Sequence, residues 1–256
     1  MKIIIAPDSF KESLSSKEVA NAIEIGFKTV YPNATYIKIP VADGGEGTVH
    51  ALVDATKGQI IRTTVKNPIG KKINSYYGIL GDKKTAVIEM ATACGLELLK
   101  ENEKNPMLTS TYGLGELILD ALNKGISSFI LGLGGSATND AGVGMLQALG
   151  IKFLDKEKKE IGFGAQYIKE IKYIDTKKLD HRVKNIKFKV ACDVTNILCG
   201  KNGTTYIFGA QKGANEQMMK ELDSSLYNFA LLCEKKFERK TKIIKGCGAA
   251  GGLGFG

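Results

Sequence analysis

Arginine is scarce in this chain. Arg62, Arg182 and Arg239 stand alone in 256 residues, although lysine and arginine together number 36 against 27 acidic residues. The formal surplus of +9 is therefore nearly all lysine, and the planar fork that reads and stacks on bases is in short supply. Nucleic acid is a poor candidate partner; an anionic small substrate suits the surplus better. Histidine is limited to His50 and His181, which excludes a histidine-rich metal site or an H-E-x-x-H protease. Cys94, Cys192, Cys199, Cys233 and Cys247 are odd in number and contain no C-x-x-C, so they read as reduced small hydrophobes, with no disulfide framework or zinc ribbon. The longest apolar runs, such as Ile3 to Ala6 and Phe129 to Leu133, fall far short of the about 18 residues that span a bilayer. The first is interrupted by Pro7 and Asp8, too early for a secretory h-region. A cytoplasmic protein without a membrane partner is expected.

Hydrophobic residues make up 43% and charged residues 25%, an ordinary globular balance, and the length allows one large domain or two smaller ones. Lys2 to Ala6 reads as a strand, and Ser15-Ser16-Lys17-Glu18 as a capping box opening a helix with Val19, Ile23, Phe27 and Val30 on one face. Thr35 to Ile39 is a second strand, and His50 to Thr56 a helical continuation. Residues 59–66, 72–80 and 85–90 read as antiparallel strands, punctuated by Asn67-Pro68-Ile69-Gly70 and Gly81-Asp82. A helix through Leu114, Leu117, Ile118 and Ala121 is predicted to end at Gly125, followed by the strand Phe129 to Leu133. After the strand Lys187 to Ala191, Leu222, Leu226, Phe229, Cys233 and Phe237 share one helical face. Lys242 to Lys245 is read as a last strand before the glycine-rich stretch 246–256, so the chain reads as cut off mid-fold.

The 30 glycines gather where strands end, and glycine there lets backbone N–H groups approach an anion. Gly132-Leu133-Gly134-Gly135-Ser136-Ala137-Thr138-Asn139-Asp140 leads from a strand into the apolar stretch Val143 to Leu149, an arrangement that aims amides and hydroxyls at phosphate. The same stretch contains Gly132-x-Gly134-x-x-Ala137 with Asp155 further on, a weak dinucleotide fingerprint that leaves an NAD-dependent oxidoreductase as an alternative. A Walker A loop is absent. Asp8, Ser9 and Lys11 follow the first strand, Asp43-Gly44-Gly45-Glu46-Gly47 the second, and Asp193 the strand ending at Ala191. Loops at the C-terminal ends of parallel strands converge on one crevice. Gln211-Lys212-Gly213-Ala214 precedes the long helix and can bring a cation to it.

The segments Ala6-Pro7-Asp8-Ser9-Phe10-Lys11, Ala42-Asp43-Gly44-Gly45-Glu46-Gly47-Thr48, Ile88-Glu89-Met90-Ala91, Thr111-Tyr112-Gly113-Leu114-Gly115-Glu116-Leu117-Ile118, Gly134-Gly135-Ser136-Ala137-Thr138-Asn139-Asp140, Ala191-Cys192-Asp193-Val194 and Phe208-Gly209-Ala210-Gln211-Lys212-Gly213-Ala214, taken together and in order, resemble the type-1 glycerate kinases of bacteria. The resemblance implies an α/β protein of two α/β domains: an open-sheet domain, 1–80, re-entered near 241–256 and lacking its final part, with a second domain, 81–240, inserted. It also implies ATP-dependent phosphorylation of a hydroxyl of D-glycerate, with 2-phosphoglycerate favoured over 3-phosphoglycerate. ATP and Mg²⁺ are the expected cofactors, D-glycerate the expected partner, and a homo-oligomer is left open. Glu12, Lys104, Ala141, Ile197 and Ala210 depart from the family pattern without removing a charged motif residue. Family members usually continue for roughly half as many residues again, so a truncated chain that binds ligand without turnover is a further alternative. Asp193 is the expected base, and Lys11, Ser136, Thr138 and Lys212 the expected phosphate contacts. Asp8, Ser9, Gly44, Gly45, Glu46, Gly134, Gly135, Asn139 and Gln211 complete the expected binding set, with Asp43 and Asp140 for Mg²⁺ or its waters.

Overall fold

A computed structural model describes residues 1–8, 10, 13–39, 41 and 44–256; Ser9, Lys11 and Asp43 lie outside the described residues. Strand β1 (Lys2–Ile5), helix α1 (Ser16–Lys28) and strand β2 (Thr35–Lys38) form a βαβ unit whose strands pair in parallel. The predicted capping box is present: the Glu18 amide donates to Ser15 Oγ at 3.3 Å and the Ser15 amide to Glu18 Oε2 at 2.8 Å, so two of the helix's orphan donors are met locally.

Helix α2 (Thr48–Thr56) leads into β3 (Gln59–Lys66), β4 (Lys72–Ile79) and β5 (Thr85–Glu89), the expected antiparallel series. Then come α3 (Ala91–Cys94), α4 (Tyr112–Asn123), β6 (Ser128–Gly132), α5 (Val143–Ala148), β7 (Lys152–Leu154), β8 (Tyr173–Asp175), β9 (Lys187–Ala191), α6 (Thr204–Phe208), α7 (Glu216–Phe237) and the one-turn α8 (Ala249–Gly252). The main sheet has the order β3-β4-β5-β6-β9, antiparallel at β3 to β5 and parallel from β5 onward. It runs through residue 80, where the first domain was expected to end, because Gly78 and Ile79 pair with Val87 and Ala86.

Alternation along β5 divides the core in two. Ala86 and Ile88 join Tyr77, Phe129 and Leu117 on the α4 side, whereas Val87 meets Val49 and Val53 of α2 on the other. A strand covered on both faces needs a continuous apolar run. Away from the sheet, the β7–β8 hairpin packs with Leu222, Leu226 and Phe229 of α7, a helix capped by Asn215, whose Oδ1 accepts the Met218 amide at 2.9 Å. The apolar face read along this helix extends beyond its core: Phe237 is 48% exposed.

The C-terminal expectations need correction. Lys242 to Lys245 forms turns, because the Thr241 and Lys242 amides are taken by Glu234 Oε1 at 2.8 and 3.0 Å, and Lys242 Nζ by Glu234 Oε2 at 2.6 Å. A chain cut off mid-fold is expected to leave Ala249, Ala250, Leu253 and Phe255 as exposed apolar surface, and the glycine-rich end does not do so. Ala249 and Leu253 are buried, Ala250 and Phe255 are partly covered, and Phe255 rests on Phe229 with ring centroids 6.1 Å apart.

The βαβ unit has less cover than the sheet: Ile4 of β1 is 61% exposed, whereas Phe129 of β6 is fully buried. Backbone amides of β1 and β2 should therefore exchange at least about 10-fold faster than those of β6 in native-state hydrogen exchange. Equal protection would show that the two sheets open as one unit.

Candidate active site

The parallel strands β5, β6 and β9 end in register, Glu89 opposite Gly132 and Gly132 opposite Ala191. Beyond them lies a cleft of about 720 Å³, within the range of small-molecule sites. One wall is Gly44-Gly45-Glu46, another is Gly134-Gly135-Ser136, and Asp193, Gln211 and Lys212 also line the cleft. The walls meet backbone to backbone. A Cβ on Gly132 would collide with the Gly44 carbonyl oxygen, and one on Gly134 would lie 2.9 Å from Gly45 Cα, so glycine is required for this approach.

Most of the expected residues converge here, but not all. Gly44, Gly45, Glu46, Gly134, Gly135, Ser136, Asp193, Gln211 and Lys212 line the cleft. Asp8, exposed beyond β1, is outside its lining, as are the buried Thr138, Asn139 and Asp140. Asn139 Nδ2 instead donates to Thr205 Oγ1 at 2.9 Å. Asp140 Oδ2 accepts the Thr111 amide and hydroxyl, both at 2.8 Å, and the Gly144 amide at 3.2 Å, while Oδ1 accepts the Gly142 amide at 3.2 Å. Burial pushes the Asp140 carboxyl above the usual range and these donors pull it back. With four donors on it, the carboxylate ties the glycine loop to the start of α4.

Lys212 is held by the same loop. It ends a short turn, Ala210–Lys212, before Gly213 at φ 91°. Its Nζ donates to the Thr138 carbonyl at 2.6 Å and to Ser136 Oγ at 3.3 Å. Ser136 Oγ also accepts the Thr138 amide at 3.1 Å. Burial pushes the Lys212 ammonium down to about 7, opposed by the negative charge of Asp140.

Several lining residues escaped the sequence reading: Asn74, Ser75 and Tyr76 of β4, Thr92, Leu96, Glu97 and Leu98, and above all Glu89. Glu89 stands in the segment Ile88-Glu89-Met90-Ala91 that carries the family resemblance, but no role was read for it. Asp155, the expected ribose partner of a dinucleotide, instead turns inward on its own hairpin, where Oδ1 accepts the Glu157 and Lys159 amides at 2.8 and 2.9 Å. Residues 133–142 separate β6 from α5, so no helix opens directly on the glycines as that fingerprint requires.

Residues 3–256 match the family model for glycerate kinases. This chain belongs to the glycerate kinase family. The oxidoreductase alternative is thereby set aside in favour of a phosphotransferase family. A glycerate kinase of Haemophilus influenzae is 55% identical over 256 residues, covering 100% of this chain and 68% of the relative. The glycerate 2-kinase of Escherichia coli K12 is 52% identical over 254 residues, covering 99% and 67%. A crystal structure assigned to glycerate kinase 2 of Salmonella typhimurium LT2 superposes with a TM-score of 0.94 at 48% identity, covering 99% of this chain and 68% of that one. The chain thus spans about two thirds of these family members.

Because Lys212 titrates near 7 when folded and near 10.5 when free, the unfolded chain holds more protons between those values, and stability rises with pH across that window. Lys212→Met should flatten this rise. Chemical denaturation at about pH 7 and about pH 9.5 should show a larger gain for the parent chain than for the variant; equal gains would remove Lys212 as the cause.

Proposed function

We propose that this glycerate kinase family member transfers the γ-phosphoryl group of ATP to a hydroxyl of D-glycerate. The observation that carries the reading is the convergence of the Gly44–Glu46 and Gly134–Ser136 walls with Asp193 and Lys212 in one cleft. Phosphoryl transfer asks the protein mainly to position groups and neutralise charge. The Asp193 carboxylate takes the hydroxyl proton, the new bond forms from that oxygen to phosphorus, and the bond to the leaving ADP oxygen breaks. Lys212, protonated as an anion enters beside it, balances charge on the transferred group. Ser136 and the glycine amides orient the phosphates. Thr138, its carbonyl bonded to Lys212, aims the ammonium from behind, a role beside the direct phosphate contact first expected of it.

A magnesium ion carried on the phosphates needs only one or two protein carboxylates. Glu46 lines the cleft and is exposed, which fits that need; Asp140, with its four donors, is better suited to holding the loop. Among the described residues no group of three metal-ligating side chains forms a dedicated cage. Such an ion would supply charge neutralisation, and the Asp43 expected beside Glu46 lies outside the described residues. The E. coli relative is named a glycerate 2-kinase, which favours 2-phosphoglycerate as product. Among the described residues no helix is long and apolar enough to cross a membrane, and a cytoplasmic location suits a consumer of ATP.

A coupled assay of ADP release with ATP and D-glycerate, with the product resolved by phosphorus NMR, tests the reading. Glycerate-dependent turnover is expected; nucleotide binding without turnover would favour the non-catalytic alternative. Asp193→Asn should lower kcat by at least about 100-fold while leaving nucleotide affinity within about 2-fold. Turnover near that of the parent chain would take the proton-accepting role from Asp193.

A further inference from the structure

Glu89 ends β5 with only 3% of its surface exposed. Its Oε1 accepts the Val49 amide at 2.7 Å, while the Thr48 amide next to it donates to the Gly45 carbonyl at 3.3 Å. The Val49 amide belongs to the opening of α2, a helix whose N-cap, Gly47, has no side chain and whose first turn carries no acid. The acceptor usually supplied by a neighbouring Ser, Thr or Asp comes here from a strand 40 residues further along. On the other side of this turn, Thr48 Oγ1 accepts the Gly44 amide at 3.1 Å and donates to the Gly45 carbonyl at 2.8 Å. The bonds run without a break from Glu89, through the opening of α2, to the cleft wall.

We propose that Glu89 is a positioning residue for phosphoryl transfer: its buried carboxylate tethers the Val49 amide at the opening of α2 and so holds the Gly44–Glu46 wall in place against the Gly134–Ser136 wall. The catalytic consequence rests on the kinase reading; the tether does not. The Val49 amide bonds an ionised carboxylate more strongly than it bonds a protonated, neutral one. Burial pushes the Glu89 carboxyl up to about 7; the Val49 amide opposes this and the Glu46 charge adds to it. The other groups on this side are Tyr76 of β4, Arg62 of β3 acting on that tyrosine, and His50 of α2, tilted 49° against the Tyr76 ring with centroids 5.3 Å apart. The tether accordingly loosens as pH falls through about 7.

Amides in the first turn of a helix have no intrahelical acceptor, so protection at Val49 reports the tether directly. In Glu89→Gln, Val49 exchange should be at least about 10-fold faster than in the parent chain, with exchange in β6 unchanged. In the parent chain, protection at Val49, corrected for intrinsic rates, should fall as pH is lowered from about 8 to about 6. Glycerate-dependent kcat should drop at least about 10-fold in the variant while nucleotide KM moves less than about 3-fold. Unchanged Val49 exchange in Glu89→Gln overturns the tether. If that variant does not fold, pH-independent protection at Val49 in the parent chain overturns it instead. Faster exchange with unchanged kcat overturns the positioning role. A parent chain inactive toward glycerate overturns the kinase reading, and the exchange measurements then decide the tether alone.

Discussion

The Gly44 carbonyl and the Gly132 backbone lie so close that no side chain can stand between them, and the cleft depends on that contact. Two loops from distant parts of the chain are brought within reach of one small ligand only because each presents bare backbone to the other. Gly44 is similarly pressed against Ala191 at the end of β9. The ends of β6 and β9 and the Gly44 loop therefore form one continuous rim.

Bare backbone at close range carries polar groups that must be satisfied away from water. Three buried ionisable side chains meet that need around the rim. Asp140 gathers donors from residues 111, 142 and 144, Glu89 accepts the Val49 amide at the opening of α2, and Lys212 supplies donors to Ser136 and Thr138. Burying a charge is costly unless it is well hydrogen-bonded, and burial shifts all three from their ordinary pKa values. Such shifts cluster at functional sites; here they also mark the groups that build the walls. Asp140 serves this architecture with both oxygens engaged, and Lys212 combines the structural bond with access to the cleft.

The electrostatics of the cleft differ from those of the surface. The chain as a whole carries +9, yet among the described residues the cleft is lined by Glu46, Glu89, Glu97 and Asp193 against the single lysine Lys212. On the proposed reading, an anionic nucleotide and an anionic hydroxy acid would meet there with few cations among the described residues to balance them. A divalent ion on the phosphates fits this imbalance, and the exposed lysines act at longer range, drawing anions toward the protein under salt screening.

Signals that act within a few residues were legible in the sequence. The capping box at Ser15, the alternation of 59–66 and 72–80, the left-handed stop at Gly125 and the glycine turns at strand ends all follow from local hydrogen bonding, side-chain periodicity and allowed backbone angles. The ordered set of motifs also carried the family. Tertiary structure alone decided which polar residues face ligand and which hold the fold. Asp140 and Asp193 look alike as acids after a strand, yet the first is enclosed by four donors and the second lines the cleft. Lys242 to Lys245 has the composition of a strand, but Glu234 takes the amides that a neighbouring strand would need. Glu89 meets its helix across 40 residues and Lys212 meets Thr138 across 74. Such partners are set by how the sheet closes and which loops it stacks, a long-range outcome of burying both faces of β5, and no local pattern encodes it.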